Sequence, residues 1–147
     1  MRLEVSGKAV DVKATGSNVD LVERAFDAFT ERDLGALLDA AASDIELNAP
    51  GTAAMAREGK AYRGHEGICA YFRDVARIWE ELEVIPQEYS DLGDKVFVTG
   101  RLRARGQGGL IIDEPAYWSV ELRGGHIRRL SAYTNREQAL RAVGLTE

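Results

Sequence analysis

From residue 82 to residue 134 the chain keeps one texture. Four segments (82–91, 95–105, 110–123 and 126–134) alternate apolar and polar side chains. They are separated by Leu92-Gly93-Asp94, Gly106-Gln107-Gly108-Gly109 and Gly124-Gly125. Period-two alternation sends successive side chains to opposite faces, and short Gly-rich separators are hairpin chemistry. The pattern predicts an antiparallel meander with one apolar face, and such a face needs a cover.

Only the N-terminal half offers one. Ser17 with Asp20 has the form of a capping box, and Val22, Ala25, Phe26 and Phe29 follow at i, i+3, i+4 and i+7, a helix to about Arg32. Asp33 is placed to cap a shorter helix with Leu34, Leu37, Leu38 and Ala41 on one face. A third helix after Gly64-His65 carries Ile68, Phe72, Val75 and Trp79. Between them, residues 44–49 alternate as a strand ending at Pro50-Gly51, and 51–63 read as an irregular, lid-like loop. Residues 135–143 predict a last short helix stopped by Gly144. Residues 1–16 read as an arm with one marginal strand, and 17–147 as a single domain. Helices segregated from strands mean an α+β architecture.

Composition narrows the function classes. The 19 Lys+Arg against 24 Asp+Glu give a net charge of −5, which argues against a nucleic-acid partner. The single cysteine, Cys69, excludes an internal disulfide. No stretch approaches the about 20 apolar residues of a membrane span, and the first residues lack a signal-like apolar run, so the expectation is a soluble, cytoplasmic domain without a membrane partner.

The ordered motifs resemble the SnoaL-like branch of the nuclear transport factor 2 (NTF2) superfamily over residues 18–145. They are Val22-Glu23-Arg24-Ala25-Phe26-Asp27-Ala28-Phe29 before Asp33-Leu34, Asp44-Ile45-Glu46-Leu47 before Pro50, Tyr62-Arg63-Gly64-His65-Glu66-Gly67-Ile68, Gly93-Asp94-Lys95-Val96, Trp118-Ser119-Val120-Glu121-Leu122, the run from Ile127 to Tyr133, and Arg136-Glu137-Gln138-Ala139-Leu140. The resemblance implies an NTF2-like cone, also called ketosteroid isomerase-like or polyketide cyclase-like: a curved antiparallel sheet wrapped around three N-terminal helices, with a pocket at one end. Members include isomerases, cyclases, dehydratases and binding modules, so function must be argued from the pocket.

The ketosteroid-isomerase pattern places a Tyr on the first helix, an Asp base at the end of the first strand, and a protonated Asp on a later strand. Here those positions fall on Ala25, Ala49 and Trp118, none of which moves a proton. The epoxide-hydrolase pattern needs an Arg between two inward Asp residues, and the last strand, Leu130-Ser131-Ala132-Tyr133-Thr134-Asn135, holds no carboxylate. His65 and His126 have no ligand spacing, so neither metal nor cofactor is called for.

Alternation sorts the rest. Ile45, Leu47, Ala49, Val96, Val98, Leu102, Ala116, Trp118, Val120, Leu130, Ala132 and Thr134 are expected inside. The ligand-binding set is Phe26, Phe29, Leu47, Met55, Tyr62, Phe72 and Trp118, for a small apolar molecule, with Trp118 either a platform or a plug. Asp113, beside Glu114 near the cone's mouth, joins Tyr62, His65 and Asn48 as the remaining candidates for proton transfer. The outward residues Phe97, Thr99, Tyr117, Ser119 and Tyr133 form a stripe that, by the resemblance, predicts a two-fold homodimer. Arg101 and Arg103 are expected to face Glu121. Three readings stand open: a small acid/base enzyme (isomerase, cyclase or dehydratase), a non-catalytic binding module, and a structural protein whose cone is filled.

Overall fold

The computed structural model describes residues 18–49 and 61–144; the arm, Ser17, Pro50 and Met55 lie outside the described residues. The order is α1 (Asn18–Thr30), α2 (Leu34–Ala40), β1 (Ala41–Asn48), β2 (Tyr62–Arg63), α3 (Gly64–Ile78), β3 (Trp79–Asp91), β4 (Lys95–Gly106), a 3-10 turn (Gln107–Gly109), β5 (Ile111–Arg123), β6 (His126–Tyr133) and α4 (Arg136–Ala142). The meander is present as β3 to β6, in one curved, unclosed sheet of order β2-β1-β6-β5-β4-β3.

The sheet is not wholly antiparallel, as the sequence had predicted: β1 runs parallel to β6, with Leu47 opposite Leu130. No hairpin turn joins these two strands, so no local signal sets their relative direction. Trp79 also departs from expectation. Its N–H closes the last turn of α3 on Val75, but its backbone is already extended, so the ring opens β3. Gly106 lies opposite, where a Cβ would stand 3.3 Å from that ring.

Helices α1, α2 and α3 cover the concave face. Val22, Ala25, Phe26 and Phe29 of α1 share one core with Ile68, Tyr71 and Val75 of α3 and with Val96, Val98, Leu102, Trp118 and Val120 of the sheet. The end of α1 is fixed to β3 by Arg32, which takes a left-handed backbone (φ 56°) after the helix. Its guanidinium donates to the Phe29 carbonyl and, at 3.0 Å, to that of Leu82, while lying 4.3 Å over the Phe29 ring.

Curvature has an identifiable hinge at the β3–β4 pair. Gln87 is the extra residue of a bulge in β3, beside Pro86, which tolerates the loss of an N–H because β3 is an edge strand. Opposite Pro86 stands Gly100, where a Cβ would meet the Ile85 carbonyl oxygen at 2.0 Å.

The convex face is covered in part by the chain itself. Phe97 is 5% exposed and packs with Ala139, Leu140 and Val143 at the C-terminal helix, joined by Tyr117 and Tyr133. Asn135 caps α4, its side-chain oxygen accepting the Gln138 N–H at 3.0 Å. Helix α4 thus covers part of the expected dimer stripe: Phe97 is buried, Tyr117 and Tyr133 are half-buried beside it, and Thr99 and Ser119 stand outside that cluster.

The remaining convex face is ionic. Arg101 holds Asp113 through Nε at 3.0 Å and Nη2 at 2.9 Å, and Arg103 lies opposite the same residue. The expected partner, Glu121, instead faces Lys95 across the ladder and pairs with Arg128 and Arg129. Glu46 braces the junction of β2, β1 and β6, bound by Arg63 at 3.0 Å and Asn48 at 3.2 Å, with Arg129 at 3.8 Å. The Asn48 hydrogen bond, then Arg129 and Arg63, hold its carboxyl below the ordinary range against the opposing effect of burial.

Two outcomes follow from this geometry. Gly100→Ala is expected to destabilise the fold by about 3 kcal/mol or more in urea denaturation, because backbone must move to admit the methyl; a loss under about 1 kcal/mol would contradict the close approach. Glu46→Gln is expected to lose on the order of 1 kcal/mol at neutral pH. Since folding lowers this carboxyl's pKa, its contribution is full above the unfolded-state value and fades as pH falls through the folded one. Wild type and variant should therefore converge in thermal stability as the pH falls below the ordinary carboxylate range, and a constant gap across pH would be incompatible with this role.

Candidate functional site

Between the helices and the concave face the core is not filled. A cavity of about 320 Å³ remains. Helix α1 gives it Ala25, Phe26 and Phe29; β1 gives Ile45 and Leu47, with Ala49 just past its end; β5 gives Ala116 and Trp118. Leu37, Ile68, Tyr71, Val84, Leu102, Ile127, Leu130 and Ala132 close the wall, and Tyr133, Thr134 and Gln138 sit where β6 passes into α4.

Trp118 is a wall and leaves the cavity open. Its ring is 5% exposed and meets Phe26 edge-on, with centroids 5.1 Å apart and planes at 77°. Phe29 is held in the same way by Phe72 at 5.6 Å and leans on Tyr71 at 5.9 Å. Such offset contacts fix ring planes, so the wall has a defined shape.

Of the residues singled out from sequence, Phe26, Phe29, Leu47 and Trp118 come together in this wall. Phe72 does not. It stands half-buried behind Phe29, and the α3 position that reaches the cavity is Tyr71. Ile68 and Tyr71 stand at i and i+3, a helical spacing that the choice of Phe72 passed over.

Tyr62 is not on a loop. It forms the short strand β2, is 2% exposed, packs on Tyr71, and donates its hydroxyl to Asp74 at 2.6 Å. Asp74 in turn takes Arg77 at 2.9 Å, so this phenol is committed to bracing α3.

The other proton-transfer candidates are also spent elsewhere. Asn48 points to the convex side, donating to Glu46 and, at 3.2 Å, to the Ser131 hydroxyl. His65 sits in the first turn of α3 with Nε2 3.1 Å from the Ala41 carbonyl, an acceptor that requires Nε2 to carry the proton. Asp113 lies within β5 on the convex face under Arg101, where sequence had placed it at the mouth. None of these four lines the cavity.

Strongly shifted titratable groups often mark catalytic sites. Here the shifted groups are Glu46, outside the cone, and Tyr89 of β3. The Tyr89 phenol is pushed up by burial, and further by Glu23 and Asp27; it meets Phe26 edge-on and is not part of the cavity lining. No carboxylate, imidazole, thiol, ammonium or guanidinium group is among the described lining residues. Nor do any three His, Cys, Asp or Glu side chains converge as a metal site among the described residues.

Comparison with known proteins places this geometry. Residues 22–131 match the SnoaL-like domain. The uncharacterized protein Rv0034 of Mycobacterium tuberculosis is 32% identical over 119 residues, covering 80% of this chain and 88% of the relative. An NTF2-like protein of unknown function from Burkholderia pseudomallei superposes with a TM-score of 0.74 at 21% identity, over 89% of this chain and 99% of the other. TerC, crystallised with polyporic acid, superposes with a TM-score of 0.73 at 21% identity, over 86% and 97%. No helix among the described residues is long and apolar enough to cross a membrane. A curved sheet around three helices, an apolar hollow at its centre and a family match across most of the chain agree: this protein has the fold of the NTF2-like structures and belongs to the SnoaL-like domain family.

Proposed function

We propose that the chain binds a small, neutral, largely apolar cyclic molecule inside the cone. One observation carries the reading: Ala25, Ala49 and Trp118, the positions that answer to the steroid-isomerase proton-transfer set, all stand in the wall of one open cavity. The space is kept while the acids are absent. At about 320 Å³ the hollow lies within the range of small-molecule pockets. A charged guest would lose its hydration to a wall whose described residues offer no counter-ion, which selects against it. TerC's crystallisation with polyporic acid supports a small organic guest for a cone of this shape.

Acid/base chemistry of the isomerase, cyclase or dehydratase kind has less behind it. It would fall to the phenols Tyr71 and Tyr133, since the described lining holds no base. The binding reading therefore leads.

Titration with the neutral probe N-phenyl-1-naphthylamine tests it. Probe emission is expected to rise with energy transfer from tryptophan that Trp118→Phe reduces, Trp79 remaining as a second donor in the same core. Ala49→Phe, which fills the mouth end of the wall, should weaken binding by about tenfold or more while near-UV circular dichroism stays native. Absence of any binding, or binding indifferent to Ala49→Phe in a folded protein, would overturn the proposal.

A further inference from the structure

The cavity is chemically lopsided. Its polar side chains apart from Tyr71 are gathered at one end, where β6 gives way to α4: Tyr133, Thr134 and Gln138. Gln138 occupies the third position of α4, after the cap Asn135. In a capping box a glutamine there turns back to the cap's own N–H. Here only half of that arrangement is made. The backbone N–H of Gln138 donates to Asn135 Oδ1 at 3.0 Å, while its side-chain amide bonds to no described residue. The Thr134 hydroxyl is likewise without a partner among the described residues.

The backbone that carries this amide is held from both sides. Asn135 fixes it before, and Ala139 and Leu140 fix it after, both buried against Phe97 on the convex face. The Gln138 and Thr134 side chains are both exposed, so they stand at the open end of the cavity, where an amide and a hydroxyl offer a donor and an acceptor to a polar atom of a guest lying within.

We infer that Gln138, with Thr134, is the polar recognition end of the cavity. It hydrogen-bonds the single hydroxyl or carbonyl of a guest whose apolar ring system lies against Trp118 and Phe26. This rests on the binding reading above and adds to it an orientation: ring inward, one uncharged polar atom toward α4. It also gives the C-terminal helix, which covers the outer face, a part in selecting what enters the inner one.

The test compares two guests of nearly equal shape, 2-naphthol and 2-methylnaphthalene, by calorimetric titration of the full chain and of Gln138→Met, a helix-compatible variant of similar length. Wild type is expected to prefer 2-naphthol by roughly three- to tenfold, the yield of one net hydrogen bond. Gln138→Met should bring that preference down toward parity through a loss of 2-naphthol affinity; Thr134→Val should reduce it in part. Equal binding of the two guests by wild type, or a preference that survives Gln138→Met, overturns this inference and leaves the cavity reading standing. Binding of neither guest overturns both.

Discussion

Everything inside this molecule depends on one close approach of backbone to backbone. Where β3 crosses β4, the Ile85 carbonyl comes so near Gly100 that only a hydrogen fits in place of a side chain. A bulge at Gln87 and a proline on the edge strand let β3 turn at that point. A flatter sheet would bring its apolar face directly onto the three helices and close the gap. The structure keeps such a gap between sheet and helices. Volume here comes from the path of the backbone, aided by small side chains at Ala25, Ala49 and Ala116.

The second organising fact is where the charge went. Acidic and basic residues are abundant, but on the strands they meet one another on the convex side: Asp113 with Arg101, Glu121 with Arg128 and Arg129, Glu46 with Arg63. Exposed pairs of this kind contribute little stability each. Their consequence is spatial. Carboxylates held by guanidinium groups outside the wall are not available to chemistry within it, and the described lining is left with apolar side chains and a few uncharged polar groups.

Much of this was written locally and some was not. The meander, its three turns and the inward set of Val98, Leu102, Ala116 and Trp118 followed from period-two alternation, because each strand's neighbour is also its neighbour in sequence. The parallel seam of β1 with β6 has no such signature, since it joins segments separated by the whole meander. The docking of α4 was missed for a related reason. Phe97, Tyr117 and Tyr133 do face outward as alternation requires, but alternation cannot tell a face left open from one that a later helix will cover. Asp113 was placed at the mouth, whereas β5 carries it outward on the convex face, where Arg101 holds it. Tyr71 and Phe72 are adjacent on a helix and stand three and four residues after Ile68, so spacing alone admits either ring; in the structure Tyr71, packed on Tyr62, is the one that lines the hollow.

Tyr133 belongs to two compartments. It packs with Phe97 and Leu140 outside and reaches the cavity lining inside. A β-sheet is a wall one residue thick, with no interior layer to absorb a disturbance, and its last residue before α4 is shared by both sides. Occupancy of the hollow and attachment of the C-terminal helix are then not separate equilibria. By thermodynamic linkage, whatever a guest gains from Tyr133 and its neighbours in the docked arrangement is returned as a tighter hold on the helix outside.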